Sequence, residues 1–121
     1  MSAVPRSVLI VDDDVAFRDL IRRLLTNLDL VVVADVGTVA EALAAAEALR
    51  PDAVLVDVGL PDGDGIALAG RLSEMEWVPR VVLTSTDPAA ADGSATSRSG
   101  AVGFLPKDEL AGDALRQMLV G

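Results

Sequence analysis

Five short apolar runs limit what this chain can fold into. Val8-Leu9-Ile10-Val11 breaks off at Asp12, Ala53-Val54-Leu55-Val56 at Asp57, and Val81-Val82-Leu83 at Thr84. Leu30 to Ala34 is a further run, and Gly103-Phe104-Leu105 a shorter and weaker one. None alternates apolar with polar residues, which a strand with one wet face would do. Unbroken runs of this length fit strands buried on both faces, the condition of a parallel sheet covered by helices.

The segments between the runs have the helical period. From Val15 to Leu28, the residues Phe17, Leu20, Ile21, Leu24, Leu25 and Leu28 fall on one stripe. Thr38 and Glu41 have capping-box spacing and open an Ala/Leu-rich helix that runs to Arg50 and stops at Pro51. A third helix is expected from Ile66 to about Met75, after the turn-rich Pro61-Asp62-Gly63-Asp64-Gly65. Asp108 is expected to cap a last helix with Leu110, Ala114, Leu115, Met118 and Leu119 facing inward. Ala89-Ala90-Ala91 begins a helix well, but Gly93 to Ser97 is poor helix material, so a short or irregular helix is expected there. Strand and helix in alternation give a three-layer α/β domain with a parallel sheet and right-handed crossovers. That architecture accounts for a mean hydropathy of +0.44 in a chain with 24% charged residues.

The length, 121 residues, fits one domain over 1–121, with no linker, repeat or output domain expected. The chain contains no Cys, His or Tyr. It can therefore assemble no Cys/His zinc site, no disulfide framework and no Ser-His-Asp or Cys-His dyad. Any chemistry must use carboxylates, hydroxyls, Lys, Arg, backbone groups and an oxygen-loving metal. A formal charge of −9 argues against nucleic acid or an anionic membrane as direct partner. The first apolar run is too short for a signal peptide or a membrane span, and a cytoplasmic location is expected.

In an open parallel sheet, ligands bind beyond the carboxyl ends of the strands. Asp12-Asp13-Asp14 follow the first run, Asp57 the third, Thr84-Ser85 the fourth and Lys107 the fifth. Each has an ordinary reading as well: helix caps for the aspartates, local hydroxyl bonds for Thr84 and Ser85, a surface amine for Lys107. Their convergence on one sheet edge is what points to chemistry. Clustered carboxylates do not all ionise cheaply, so they call for a divalent cation, and all-oxygen ligands select Mg2+ or Mn2+. A nucleophilic carboxylate beside Mg2+, with a hydroxyl and an ammonium at hand, is a site for phosphoryl transfer to give an aspartyl phosphate.

VLIVDDD, VLVDVGLPDGDG, VVLTS and GAVGFLPK together resemble the receiver domain of two-component response regulators, the CheY-like family. The resemblance runs over essentially the whole chain. It implies a doubly wound (βα)5 flavodoxin-like fold with strand order 2-1-3-4-5. It makes Asp57 the phosphoacceptor, Asp12 and Asp13 the acidic metal pair, and the Gly59 carbonyl a backbone metal ligand. Thr84 becomes the switch hydroxyl, Lys107 the phosphate-binding lysine and Phe104 the switch aromatic. Gly59 and Thr86 match positions that tune hydrolysis, and both are small, which implies a short-lived signal. The implied partners are a histidine kinase or histidine phosphotransfer protein and a downstream protein target, and no catalysis is implied beyond the domain's own phosphorylation and dephosphorylation. Pro106 precedes Lys107, whereas many members place proline after the lysine.

Two other readings compete. VLIVDDDV also fits the opening motif of haloacid-dehalogenase-type phosphatases, with Asp12 as nucleophile, Asp14 as acid/base, and Thr84 and Lys107 as later motifs. That reading leaves Asp57 without a task and the chain without room for a cap. The other is a receiver-like module that docks without being phosphorylated.

Overall fold

The computed structural model describes residues 6–87, 98–110 and 112–121. Five strands form one parallel sheet: β1 (Ser7–Val11), β2 (Val31–Val36), β3 (Ala53–Asp57), β6 (Arg80–Ser85) and β7 (Gly103–Pro106). Their order is β2-β1-β3-β6-β7, which is the expected 2-1-3-4-5 once a small hairpin is set aside. That hairpin, β4 (Gly59–Leu60) paired antiparallel with β5 (Gly63–Asp64), occupies the segment expected to be only a turn. Among the described residues, α1 (Val15–Asn27), α2 (Val39–Leu49), α3 (Gly65–Ser73) and α4 (Gly112–Val120) are helices. Residues 88–97, where an irregular helix is expected, lie outside the described residues.

The unbroken runs are explained by what packs on each face. Leu9, Val11, Val54, Val56, Val81 and Leu83 meet Ala42 and Ala46 of α2 and Leu68, Ala69 and Leu72 of α3. The alternate residues Val8, Ile10, Ala53, Leu55 and Val82 meet Ile21 and Leu25 of α1 and Leu115 and Leu119 of α4. Successive side chains of a strand point to opposite faces, so a sheet with helices on both sides needs an apolar residue at every position. The edge strand β2 is only partly buried, and it alone among the five carries a charged residue, Asp35, in mid-strand.

Local signals set the helix starts. Asp14 caps α1, accepting from the N–H groups of Ala16 (3.0 Å) and Phe17 (3.3 Å). Thr38 caps α2 by accepting from Glu41 N–H at 3.1 Å, as its spacing with Glu41 predicts. Asp64 caps α3 by accepting from Ile66 N–H at 2.8 Å. Three expectations need correction. Leu20, counted in the α1 stripe, is 60% exposed, because it lies about 100° round the helix from the buried Ile21. Ala114 stands in the same relation to buried Leu115 and is exposed. Asp108 is not at the start of the last helix: it sits inside a 3-10 turn, Lys107–Glu109, and that helix begins at Gly112 among the described residues. Leu110, packed on the core beside α4, has a non-helical backbone that separates turn from helix.

Candidate functional site

The sheet topology gathers the polar strand ends. β1 and β3 are neighbours in register, Val11 beside Val56, so Asp12 and Asp57 emerge side by side. β3 and β6 pair Asp57 with Thr84, and β6 and β7 pair Ser85 with Pro106, which brings Lys107 in from the far side. This is the switch point, where strand order reverses between β1 and β3.

Carboxylate oxygens of Asp12, Asp13 and Asp57 all lie within 4.8 Å of one another. Asp12 is 1% exposed and Asp57 8%, while Asp13 faces solvent. One Asp12 oxygen accepts from Asp14 N–H at 2.9 Å. The other, Oδ2, is buried and is met at 2.6 Å by Lys107 Nζ. That contact is ionic: no donor reaches Oδ2 at hydrogen-bonding angles among the described residues. Lys107 Nζ stands 3.8 Å from Asp57 Oδ2 and 4.1 Å from the centroid of the Phe17 ring. A cation over an aromatic face and between two carboxylates is held on three sides. Phe17 reads in sequence only as a member of an apolar stripe, and nothing local shows that its ring supports the lysine.

Burial pushes the Asp57 carboxyl above the usual carboxylate range, and the charge on Asp12 adds to the push. Lys107 and the Gly59 N–H pull the other way, and Asp13 adds a further, smaller push. The folded state therefore holds this proton more tightly than the unfolded chain. As pH rises from the ordinary carboxylate value through the raised one, ionisation of Asp57 costs stability. In metal-free buffer, Asp57→Asn is expected to be more stable than wild type near neutral pH and to lose this downward slope. Denaturant unfolding across that pH range checks it, and equal stability of the two proteins at neutral pH would contradict it.

Thr84 is fully buried and its Oγ1 has no partner among the described residues, an uncommon condition for a buried hydroxyl. Its carbonyl accepts from Val58 N–H at 2.9 Å, tying β6 to the segment after Asp57. Ser85 Oγ is occupied by Asp87 N–H at 3.0 Å, so of the two hydroxyls Thr84 is the uncommitted one. Gly59 is exposed, and a Cβ there would meet nothing within 4 Å. Phe104 on β7 is partly buried against the core formed with α2 and α3. Arg18 of α1 braces the site from behind, donating to the Asp12 carbonyl (2.6 Å) and to Asp35 Oδ1 (2.9 Å). The Arg22 and Arg18 guanidiniums hold the Asp35 carboxyl below its ordinary range. The structure thus brings Asp12, Asp13, Asp57, Thr84 and Lys107 to one edge, with Gly59 on the adjoining hairpin and Phe104 one strand away.

The site bears on the phosphatase reading. Asp14, its acid/base, has its carboxylate engaged in capping α1, and Asp57, which it leaves idle, belongs to the acidic cluster.

Residues 8–120 match the family model for the response regulator receiver domain. The chain belongs to that family. As a receiver domain it is 42% identical over 105 residues to the DNA-binding transcriptional activator DevR/DosR of Mycobacterium tuberculosis, a match covering 84% of this chain and 47% of that protein. It is 36% identical over 101 residues to the KDP operon transcriptional regulatory protein KdpE of Escherichia coli, covering 84% and 44% respectively. Among solved structures, the signal receiver domain of NarL from Mycobacterium tuberculosis superposes with a TM-score of 0.83 at 29% identity, covering 98% of this chain and 100% of that one. The response regulator domain of Thermotoga maritima CheB gives 0.82 at 25% identity, covering 95% and 94%. The receiver domain spans less than half the length of the two curated relatives named. No helix among the described residues is long and apolar enough to cross a membrane.

Proposed function

We propose that this receiver domain is a phosphorylation-dependent signalling switch in which Asp57 accepts a phosphoryl group from a histidine of a partner kinase or phosphotransfer protein. The observation that carries the reading is the Asp12–Asp13–Asp57 carboxylate cluster with Lys107 Nζ lodged between Asp12 and Asp57. The donor set fits a hard divalent cation. Every ligand is oxygen, and the buried Asp12 Oδ2 accepts no hydrogen bond among the described residues. Asp12, Asp13, Asp57 and the Gly59 carbonyl would hold Mg2+, or Mn2+ in its place. Bound there, the cation neutralises charge on the phosphoryl oxygens and relieves repulsion among the carboxylates.

In the transfer itself, an Asp57 carboxylate oxygen attacks phosphorus, the bond from phosphorus to the partner's imidazole nitrogen breaks, and that nitrogen keeps the electron pair. Lys107 moves its ammonium from Asp12 towards the incoming phosphoryl oxygens, where it stabilises the charge that develops. The Thr84 hydroxyl then donates to a phosphoryl oxygen, which gives a buried group the partner it lacks among the described residues. Closing of Thr84 frees space beside β7, and Phe104 repacks inward, changing the face presented to a downstream protein. Open space around Gly59 and the exposure of Thr86 leave water free to reach the acyl phosphate, which supports a short-lived signal.

The acidic balance of the chain, 10 Lys+Arg against 19 Asp+Glu, favours proteins over nucleic acid or membrane as its direct partners. A cytoplasmic location belongs to the same proposal, and the absence of cysteine is compatible with it. No catalysis beyond the domain's own phosphorylation and dephosphorylation is part of it.

Beryllium fluoride, a mimic of the phosphoryl group, tests the switch. With Mg2+, it is expected to shift the amide resonances of Thr84 and Phe104 as well as those of Asp57. Thr84→Ala should keep the Asp57 shifts and lose those at Phe104. Shifts confined to the β1 and β3 ends in wild type would mean that the site binds but does not switch. No shift anywhere would favour the docking module that works without phosphorylation.

A further inference from the structure

Gly59 sits on a hairpin whose strands are two residues each, too short to hold their shape unaided. Val58 is tied to β6 through Thr84, and Gly65 N–H donates back to the Val58 carbonyl at 2.8 Å. Leu60 packs against the core. The tip of the hairpin is held by Asp62. This carboxylate accepts from the N–H groups of Val39 (2.7 Å) and Ala40 (3.1 Å) in the first turn of α2. Those donors have no partner within the helix. The helix's own cap, Thr38, is engaged with Glu41 N–H and leaves both free for Asp62. Gly63 completes the seat: a Cβ there would lie 3.1 Å from Val39 Cγ2, so the hairpin rests closely on α2.

We propose that Asp62 is a positioning residue for the divalent-metal site: by capping α2 from the β4–β5 hairpin, it fixes the Gly59 carbonyl at the acidic cluster. The inference rests on the metal reading of that cluster. Gly59 has no side chain to anchor it and open space where a Cβ would be; its N–H bonds the Asp57 carboxylate, and its carbonyl depends on the hairpin that carries it. Groups that orient metal ligands from outside usually matter to affinity by about 10-fold or more.

The test is a Mg2+ titration of the whole chain, followed by amide chemical shifts and by calorimetry, with melting curves taken in metal-free buffer. Asp62→Ala is expected to weaken Mg2+ binding by about 10-fold. Asp62→Asn should fall between the two, since its amide oxygen still accepts an N–H. Thr38→Ala is the control: it removes a cap from the same helix end without touching the hairpin, and should lower the melting temperature while leaving Mg2+ affinity at the wild-type value. If Asp62→Ala binds Mg2+ as tightly as wild type, the inference fails. It fails equally if Thr38→Ala weakens binding as much as Asp62→Ala, because the effect would then be one of α2 stability. A wild-type chain that binds no Mg2+ would overturn the metal reading first, and the role of Asp62 with it.

Discussion

An alanine at position 65 is expected to disrupt the centre of the site. Gly65 opens α3 directly behind Asp57, and a Cβ there would lie 2.1 Å from the Asp57 carbonyl oxygen and 2.8 Å from both Asp57 C and Val58 Cα. All three atoms are backbone, so no side chain can swing aside. Either β3 must shift at the residue that carries the carboxylate, or the first turn of α3 must lift away from the Asp64 cap. Overpacking a core typically costs 1–3 kcal/mol, and a clash against main chain belongs at the upper end, about 3 kcal/mol or more. Gly65→Ala should therefore unfold at markedly lower denaturant concentration, and the fraction that stays folded should bind Mg2+ and beryllium fluoride poorly. A variant with wild-type stability and binding would show that α3 does not pack on Asp57 as described.

The second large effect concerns Lys107. Its ammonium is the counter-charge of Asp12 Oδ2, in a place where the carboxylate is almost wholly out of water. Removing one partner of a buried pair leaves the other uncompensated, and such truncations cost about 3–5 kcal/mol. Lys107→Met should be destabilised on that scale in metal-free buffer, and millimolar Mg2+ should return much of the loss, because a bound cation supplies the missing charge. The double variant Asp12→Asn, Lys107→Met should be more stable without metal than Lys107→Met alone, since no unpaired charge remains. If the double variant were no better than the single one, the loss would have to be assigned to the ammonium's contact with the Phe17 ring. Phosphoryl uptake should fall in Lys107→Met even with saturating Mg2+, because the metal replaces the resting charge but not the group aimed at the phosphoryl oxygens.

These residues also show what could be read from the chain and what could not. Strand positions and the polar edge were legible because burial on both faces demands unbroken apolar runs, and the residue that ends each run must lie at the sheet's rim. Asp12, Asp57 and Thr84 are visible for that reason alone. The roles assigned to them came from the family resemblance, since a strand-end aspartate is chemically the same in many folds. Helix faces were legible only to within one position. Leu20 and Ala114 satisfy a three-or-four spacing yet fall about 100° off the buried stripe, and spacing does not show where a sheet stops covering a helix. Asp108 has the residue type of a cap, but it sits inside a 3-10 turn that precedes α4, and Leu110 after it packs on the core. Phe17 under Lys107, Arg18 on the Asp12 carbonyl and Asp62 on α2 were hidden for a different reason. They are contacts between elements distant in sequence, and no local pattern encodes the partner.

The central claim is that Asp57 is the residue that takes the phosphoryl group, and one measurement addresses it most directly. The chain is incubated with acetyl phosphate and Mg2+ and its intact mass is recorded, beside Asp57→Ala treated in the same way. Wild type should gain the mass of one phosphoryl group, lose it again when Mg2+ is left in place and the donor removed, and show no gain when the metal is chelated beforehand. Asp57→Ala should gain nothing. A phosphoryl mass that persists in Asp57→Ala, or a wild-type chain that takes up none with Mg2+ present, would contradict the account.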